Sequence, residues 1–228
     1  MARELRILSA NLFNGGADPA ALGELVRAHA PDVVAVQELG PEQAEVLSAL
    51  LPHGALEPAT DFTGMGIALR APAGLRRVPL AYRDARVALL EPAGWPGLEE
   101  PLEIVNVHFA APTARPVWRQ AGVRRRQLRG LLAHLDADPA RARAVVGDFN
   151  ATPLWPVYRG VARHLEDLAR SHARGAGSRP RPTWPSWSPR PLLRIDHCFG
   201  RGLDVHGLRV VAVPGSDHCG LLVDLVAK

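Results

Sequence analysis

The stretch Val145-Val146-Gly147-Asp148-Phe149-Asn150 constrains this chain more than any other, because a short apolar run leads straight into a carboxylate and a carboxamide two residues apart. Such a run reads as a buried strand that stops where polar chemistry begins. Alternation along an extended chain sets Asp148 and Asn150 on the same side, and two hard oxygen donors emerging together suit Mg2+ or Mn2+. Equally open is a turn, in which Gly147 permits the bend and both side chains bond nearby backbone.

From the N-terminus, residues 5–10 form a strand that delivers Asn11 at its end, before the turn-forming Asn14-Gly15-Gly16. Asp18 followed by Pro19 starts a helix, with Ala21, Leu22, Leu25, Val26 and His29 at helical spacing. Residues 33–36 are a continuous apolar strand of the kind covered on both faces, with Gln37 and Glu38 at its end. Gly40, Pro41 and Glu42 open a second helix, striped by Val46, Leu47, Leu50 and Leu51. This alternation is an α/β beginning.

Short strands then follow at residues 66–69, 75–80, 86–90 and 102–107, an antiparallel meander that ends at His108. Trp118, Ala121, Leu128, Leu131, Leu132 and Leu135 stripe a helix whose arginines lie on the opposite side, and the Val145 strand comes next. Beyond Asn150 the chain is loop-rich, with a helical piece at 165–171 and a Gly/Pro/Arg stretch at 174–190. Trp184 and Trp187 inside that stretch either pin a surface loop or form a stacking lip for substrate. Strands at 192–199 and 204–213, a tight turn at 215–218 and a closing strand at 221–226 complete the chain.

Nothing in the 228 residues marks a linker, so a single domain spanning 1–228 and a monomer are expected. No apolar run approaches the roughly 20 residues of a membrane span, and the N-terminus lacks the features of a secretory leader. A cytoplasmic protein is the expectation. Cys198 and Cys219, each following Asp-His, are too few for a disulfide framework. A metal cluster of His197, Cys198, His218 and Cys219 is disfavoured, because adjacent strand residues face opposite ways. The net charge of +4 comes almost wholly from arginine, Lys228 being the sole lysine. The densest run, Arg124, Arg125 and Arg126 with Arg129, reads as a solvated helix face or as a contact for nucleic acid.

Asn11, Glu38, His108, Asp148, Asn150, Asp196, Asp217 and His218 all fall at or near strand ends. A centre rich in carboxylate and amide oxygen and poor in thiolate argues for Mg2+ or Mn2+ over zinc. Six segments in this order resemble the endonuclease/exonuclease/phosphatase superfamily over essentially the whole chain. They are Ser9-Ala10-Asn11, Val36-Gln37-Glu38, Asn106-Val107-His108, Gly147-Asp148-Phe149-Asn150, Arg194-Ile195-Asp196-His197 and Gly215-Ser216-Asp217-His218.

The resemblance implies a four-layer α/β/β/α sandwich of two mixed, mainly antiparallel sheets with a metal site at one edge. It implies Glu38 as the principal ligand of Mg2+ or Mn2+, with Asn11 and Asp217 near the ion. Asp148 and Asn150 would position the attacking water and the phosphate, His218 would act as base or phosphate contact, and Asp196 would orient it. His108 matches the phosphate-binding histidine of the deoxyribonuclease and sphingomyelinase branches. Ala10 and Phe13 depart from the AP-endonuclease pattern. The expected activity is hydrolysis of a small or lipid-linked phosphoester. A nuclease acting on DNA or RNA, a catalytically inactive binding module of the same fold, and a zinc or Cys/His redox protein are the alternatives.

Overall fold

The computed structural model describes residues 4–139 and 141–228. In chain order the elements are β1 (Leu5–Asn11), α1 (Pro19–His29), β2 (Val33–Gln37), α2 (Pro41–Leu50), β3 (His53–Glu57), β4 (Met65–Leu69), β5 (Gly74–Val78), β6 (Ala85–Leu90) and β7 (Leu102–His108). They continue as α3 (Val117–Ala137), β8 (Arg143–Asp148), α4 (Pro156–Val161), β9 (Glu166–Asp167), α5 (Leu168–Gly175), β10 (Asp196–Arg201), β11 (Leu203–Val211) and β12 (Gly220–Ala227).

Two six-stranded sheets result, ordered β11-β12-β1-β2-β4-β3 and β5-β6-β7-β8-β10-β9. One apolar cluster, including Ile7, Val33, Ile67, Ile104, Val146 and Val223, draws on both sheets and fills the space between them. A second joins α1 and α2 to the first sheet through Leu22, Val26 and Leu47. A third joins α3 and α4 to the second sheet through Leu131, Leu135 and Val157. The order is therefore helix, sheet, sheet, helix. Strands with one face on each of two cores have no polar face to spare, which is why β2, β7 and β8 are buried throughout.

Each sheet contains one parallel pair joined by a helix. β1 pairs with β2 so that Asn11 stands beside Gln37, and β7 pairs with β8 so that His108 stands beside Asp148. All other pairings are antiparallel. In the first sheet β12 runs back along β1 with Leu5 opposite Leu225. Asp18 caps α1 as its sequence implies, its side chain accepting from the Ala21 amide.

Several expectations need correction. Edge strand β3 carries only half-buried or exposed side chains, a weak signal for any pattern reading. The segment after Asn150 holds α4 as well as α5, since Pro156 at the first turn favours helix. Residues 192–195 precede β10, with Leu193 instead forming a bridge to Trp184.

Candidate active site

The strand ends Asn11, Glu38, His108 and Asp148 converge at one edge of the facing sheets. The Asn11 amide donates to Glu38 Oε1 and to Asp148 Oδ2, each at 3.1 Å, so one carboxamide spans the two sheets. His108 Nε2 lies 3.5 Å from Glu38 Oε1 and 3.6 Å from Asp148 Oδ2. Ser216 Oγ donates to the Asn11 carbonyl at 2.7 Å, docking the loop before β12 onto the end of β1. That brings His218 to Asp196, whose two oxygens sit 3.1 and 3.0 Å from Nδ1, while His218 Nε2 lies 3.9 Å from Asp148 Oδ2. Asp217 points elsewhere with one oxygen, accepting from Trp184 Nε1 at 3.0 Å, and offers the other 3.9 Å from His218 Nε2.

Asp148 and Asn150 do meet, though by another route than strand alternation. β8 stops at Asp148, and Asn150 turns into the left-handed region at φ 47°. Its backbone N–H then donates to Asp148 Oδ1 at 2.7 Å and its side chain to Asp148 Oδ2 at 2.8 Å. The turn and the site are one arrangement. Phe13, Asn14, Glu38 and Tyr82 also take positive φ, as does Ala30 at the end of α1, away from the site. A left-handed non-glycine residue costs roughly 1–2 kcal/mol, and with Asn150 five of them gather here, so the surrounding contacts fix an uncomfortable backbone.

Electrostatics at the floor are set by burial. Burial pushes the Glu38 carboxyl upward, only partly offset by the Asn11 hydrogen bond. It carries Asp148 up to about 7, although the charge on His218 pulls the other way. For His218, burial opposes the charge, yet Asp196, Asp148 and Asp217 outweigh it and raise the imidazole to about 10. His108, wholly buried and near Arg83 and His218, is held well below its ordinary value and is neutral. Its Nδ1 is buried without a partner.

The surroundings hold this floor in place. Asn106 reaches from β7 across to the carbonyls of Val36 and Gly66, each at 2.9 Å, and accepts from the Gln37 amide at 2.7 Å. Arg124, expected on a solvated face, is buried beneath the site. It donates to the Ala110 carbonyl and, at 3.0 Å, to the Asn150 carbonyl, and it stacks against Trp155 at 5.6 Å. Arg125, Arg126 and Arg129 are exposed, as expected. Gln127, one turn on, binds the Ala110 amide at 2.9 Å and the His108 carbonyl at 3.2 Å. A side chain's destination within an arginine run depends on helix phase against a loop, which no local pattern records.

Arg83 escaped the sequence reading altogether, being one arginine in an ordinary loop. It lines the cleft with Nε and Nη1 buried and without hydrogen-bond partners, beneath the Tyr82 ring at 4.6 Å. Burial lowers its pKa against the pull of Glu38 and Asp148. His197 and Cys198 go to other places. His197 Nε2 donates to the Ala151 carbonyl at 2.7 Å among Phe149, Tyr158 and Phe199, and Cys198 lies between the sheets. The Cys/His cluster does not form.

Among the described residues, Asp148, Asp196 and His218 are the group whose ligand atoms lie within 4.8 Å of one another. Above the floor opens a cleft of about 520 Å³, walled by Phe13, Phe62, Tyr82, Trp155, Trp184 and Leu193 among others. The design is a small acidic and imidazole floor under apolar walls.

A sequence model described as the endonuclease/exonuclease/phosphatase family matches residues 8–218, and the chain belongs to that family. Members of the family are metal-dependent phosphoester hydrolases. The fold matches an endonuclease/exonuclease/phosphatase from Beutenbergia cavernae at TM-score 0.75 and 22% identity, over 99% of this chain and 72% of that one. It also matches the catalytic domain of human Nocturnin with bound sulfate at TM-score 0.72 and 19% identity, over 100% and 96% of the two chains. A third match is D. rerio TDP2 complexed with single-strand DNA product, at TM-score 0.69 and 19% identity over 97% and 98%. No curated protein sequence matches the chain.

Proposed function

We propose that this protein is a Mg2+-dependent hydrolase of phosphoester bonds, with Mn2+ as an alternative ion and a small or lipid-linked phosphoester as substrate. The observation that carries the reading is the group of buried acids at the site, Glu38 and Asp148 lining the cleft and Asp196 behind them, with His218 paired to Asp196 and 3.9 Å from Asp148. Glu38 and Asp148, held above their usual range by burial, gain most from a hard divalent cation, which takes oxygen ligands of this kind. Glu38 fits such an ion, with Asn11 and Asp217 at its margin and Asp148 close by through the Asn11 amide that bonds both carboxylates. When bound, it neutralises charge on the phosphoryl oxygens and on the leaving oxygen.

The chain's own residues then divide the remaining work. With a pKa near 7, Asp148 is suited to take the proton of the attacking water at neutral pH. His218, with a pKa near 10, stays protonated and is a donor, not a base. Its Nε2 is only 3.9 Å from Asp148, too close for the two groups to serve the opposite ends of an in-line displacement. His218 therefore holds a non-bridging oxygen beside the attacking water, and Asp196 fixes its ring. Asn150 acts mainly through Asp148, orienting it. The unpartnered donors of Arg83 and the neutral His108 complete a ring of donors around one phosphoryl group as charge develops.

Hydrolysis of a panel of phosphoesters in Mg2+ and in EDTA tests this directly. Turnover that Mg2+ supports, EDTA abolishes and Glu38→Gln lacks is the expected result. Undiminished hydrolysis by Glu38→Gln throughout a Mg2+ titration would overturn it, and so would hydrolysis indifferent to EDTA.

A further inference from the structure

The large apolar side chains exposed on this protein are not scattered. Among the described residues, eleven such side chains are exposed, and five of them line the cleft. Val117, Trp118, Leu154, Trp187 and Leu192 stand within four residues of a cleft-lining position, which leaves Leu75 alone elsewhere. Trp118 is 82% exposed, Trp187 76%, Leu154 75% and Leu192 72%. Soluble proteins rarely gather so much apolar surface in one place without a partner for it.

Charge follows the same geography. Residues 109–135, 151–165 and 168–195, which carry these outer side chains, contain six, two and six arginines and not one aspartate or glutamate. Not all of these arginines reach the mouth, since Arg124 and Arg194 are buried and Arg163 lies beside His164, whose carbonyl binds Arg201 at the far end of β10. Arg115 and Arg119 flank Trp118, and Arg190 lies between Trp187 and Leu192, all exposed. Phe62 and Tyr82 in the cleft wall are accompanied by Asp61 and Asp84.

We propose that this rim docks onto the surface of an anionic lipid bilayer, with Trp118, Trp187, Leu154 and Leu192 entering the interface and Arg115, Arg119 and Arg190 against the headgroups. Tryptophan favours the boundary between water and hydrocarbon, and basic side chains beside inserted apolar ones give the two signals that stable peripheral binding needs. Single-stranded nucleic acid shares the liking for arginine and aromatic rings, since bases stack on planar groups. Exposed leucine and valine offer bases nothing comparable, and the rim has both. The consequence is an active-site cleft that opens toward the membrane plane.

The test is binding, measured in EDTA on the intact protein, so that it does not depend on whether the cleft hydrolyses phosphoesters. Vesicles of phosphatidylcholine with phosphatidylglycerol should sediment the protein and shift its tryptophan emission to the blue, and phosphatidylcholine alone should bind it far less. The Trp118→Ser, Trp187→Ser double variant should partition about tenfold less or worse. Arg115→Gln, Arg119→Gln and Arg190→Gln together should lower partition onto the anionic vesicles about a hundredfold at low salt. Circular dichroism checks that these surface variants fold. Failure to sediment with anionic vesicles, or sedimentation unaffected by either set of changes, would overturn the proposal. Preference for a single-stranded oligonucleotide over the vesicles would overturn it in favour of a nucleic-acid surface.

Discussion

The two parallel units, β1-α1-β2 and β7-α3-β8, share a topology and present their strand ends to the same cleft, yet they equip it differently. The first contributes Asn11 and Glu38, an amide and a carboxylate, whose neighbouring histidine His108 belongs to the other unit and is neutral. The second contributes His108 and Asp148, and through β10 and the last loop it engages Asp196 and His218. Their helices differ as well. α1 packs on its own sheet and against α2, whereas α3 sends Arg124 and Gln127 under the site to grip the chain after β7 and β8. On the function proposed above, one unit would hold charge and the other would orient groups that handle protons.

The sharpest way to break that comparison is to remove one carboxylate from each unit. Glu38→Gln and Asp148→Asn should each lower turnover by about three orders of magnitude, with different signatures. Glu38→Gln should weaken Mg2+ activation, read as a rightward shift of the titration, whereas Asp148→Asn should lower kcat with the titration midpoint nearly in place. Identical signatures would erase the distinction between the units. Next in size, Asp196→Ala and His218→Ala should each cost about a hundredfold or more, and the double variant little beyond either single one. Fully multiplicative losses would show that the two residues act independently.

Smaller effects sharpen the same contrast. Asn106→Ala removes a clamp between the sheets and leaves the Val36 and Gly66 carbonyls unpaired, so a loss of about 2–3 kcal/mol is expected in urea unfolding. Arg124→Gln should lower kcat roughly tenfold with a modest effect on KM, whereas Asp18→Ala in α1 should cost about 1 kcal/mol of stability and leave kcat alone. Acidity gives a further reading. The folded pKa of Asp148 lies above its unfolded value, so folding takes up protons between about pH 4 and 7 and the metal-free protein loses stability as pH rises through that window. His218 is raised too, and its contribution is complete below about pH 6.5 and fades only toward pH 10. Mg2+ should therefore raise Tm more at pH 7.5 than at pH 5, by calorimetry.

The sequence announces the strand ends well, because a strand buried on both faces is an apolar run and its polar terminus stands out against it. Asn11, Glu38, His108 and Asp148 are legible for that reason. Arg83 is not, since its importance comes from lying buried beside carboxylates contributed by distant strands. The exposure of Arg115, Arg119 and Arg190 beside Trp118 and Trp187 is equally hidden, because in the sequence they are part of an arginine-rich composition. Edge strand β3 and helix α4 fail for a local reason, being short and weakly patterned.

The pairing of Leu5 with Leu225 has a practical side. β1 runs from Leu5 to Asn11, so the two ends of the described fold meet about 20 Å down the strand from the cleft. A tag or fused partner attached at either end would emerge away from the mouth. The ends could also be joined by a short flexible peptide and the chain reopened in the turn-rich segment between β6 and β7. Such a circularly permuted protein would keep both parallel units whole, and with them the distances on which the cleft depends.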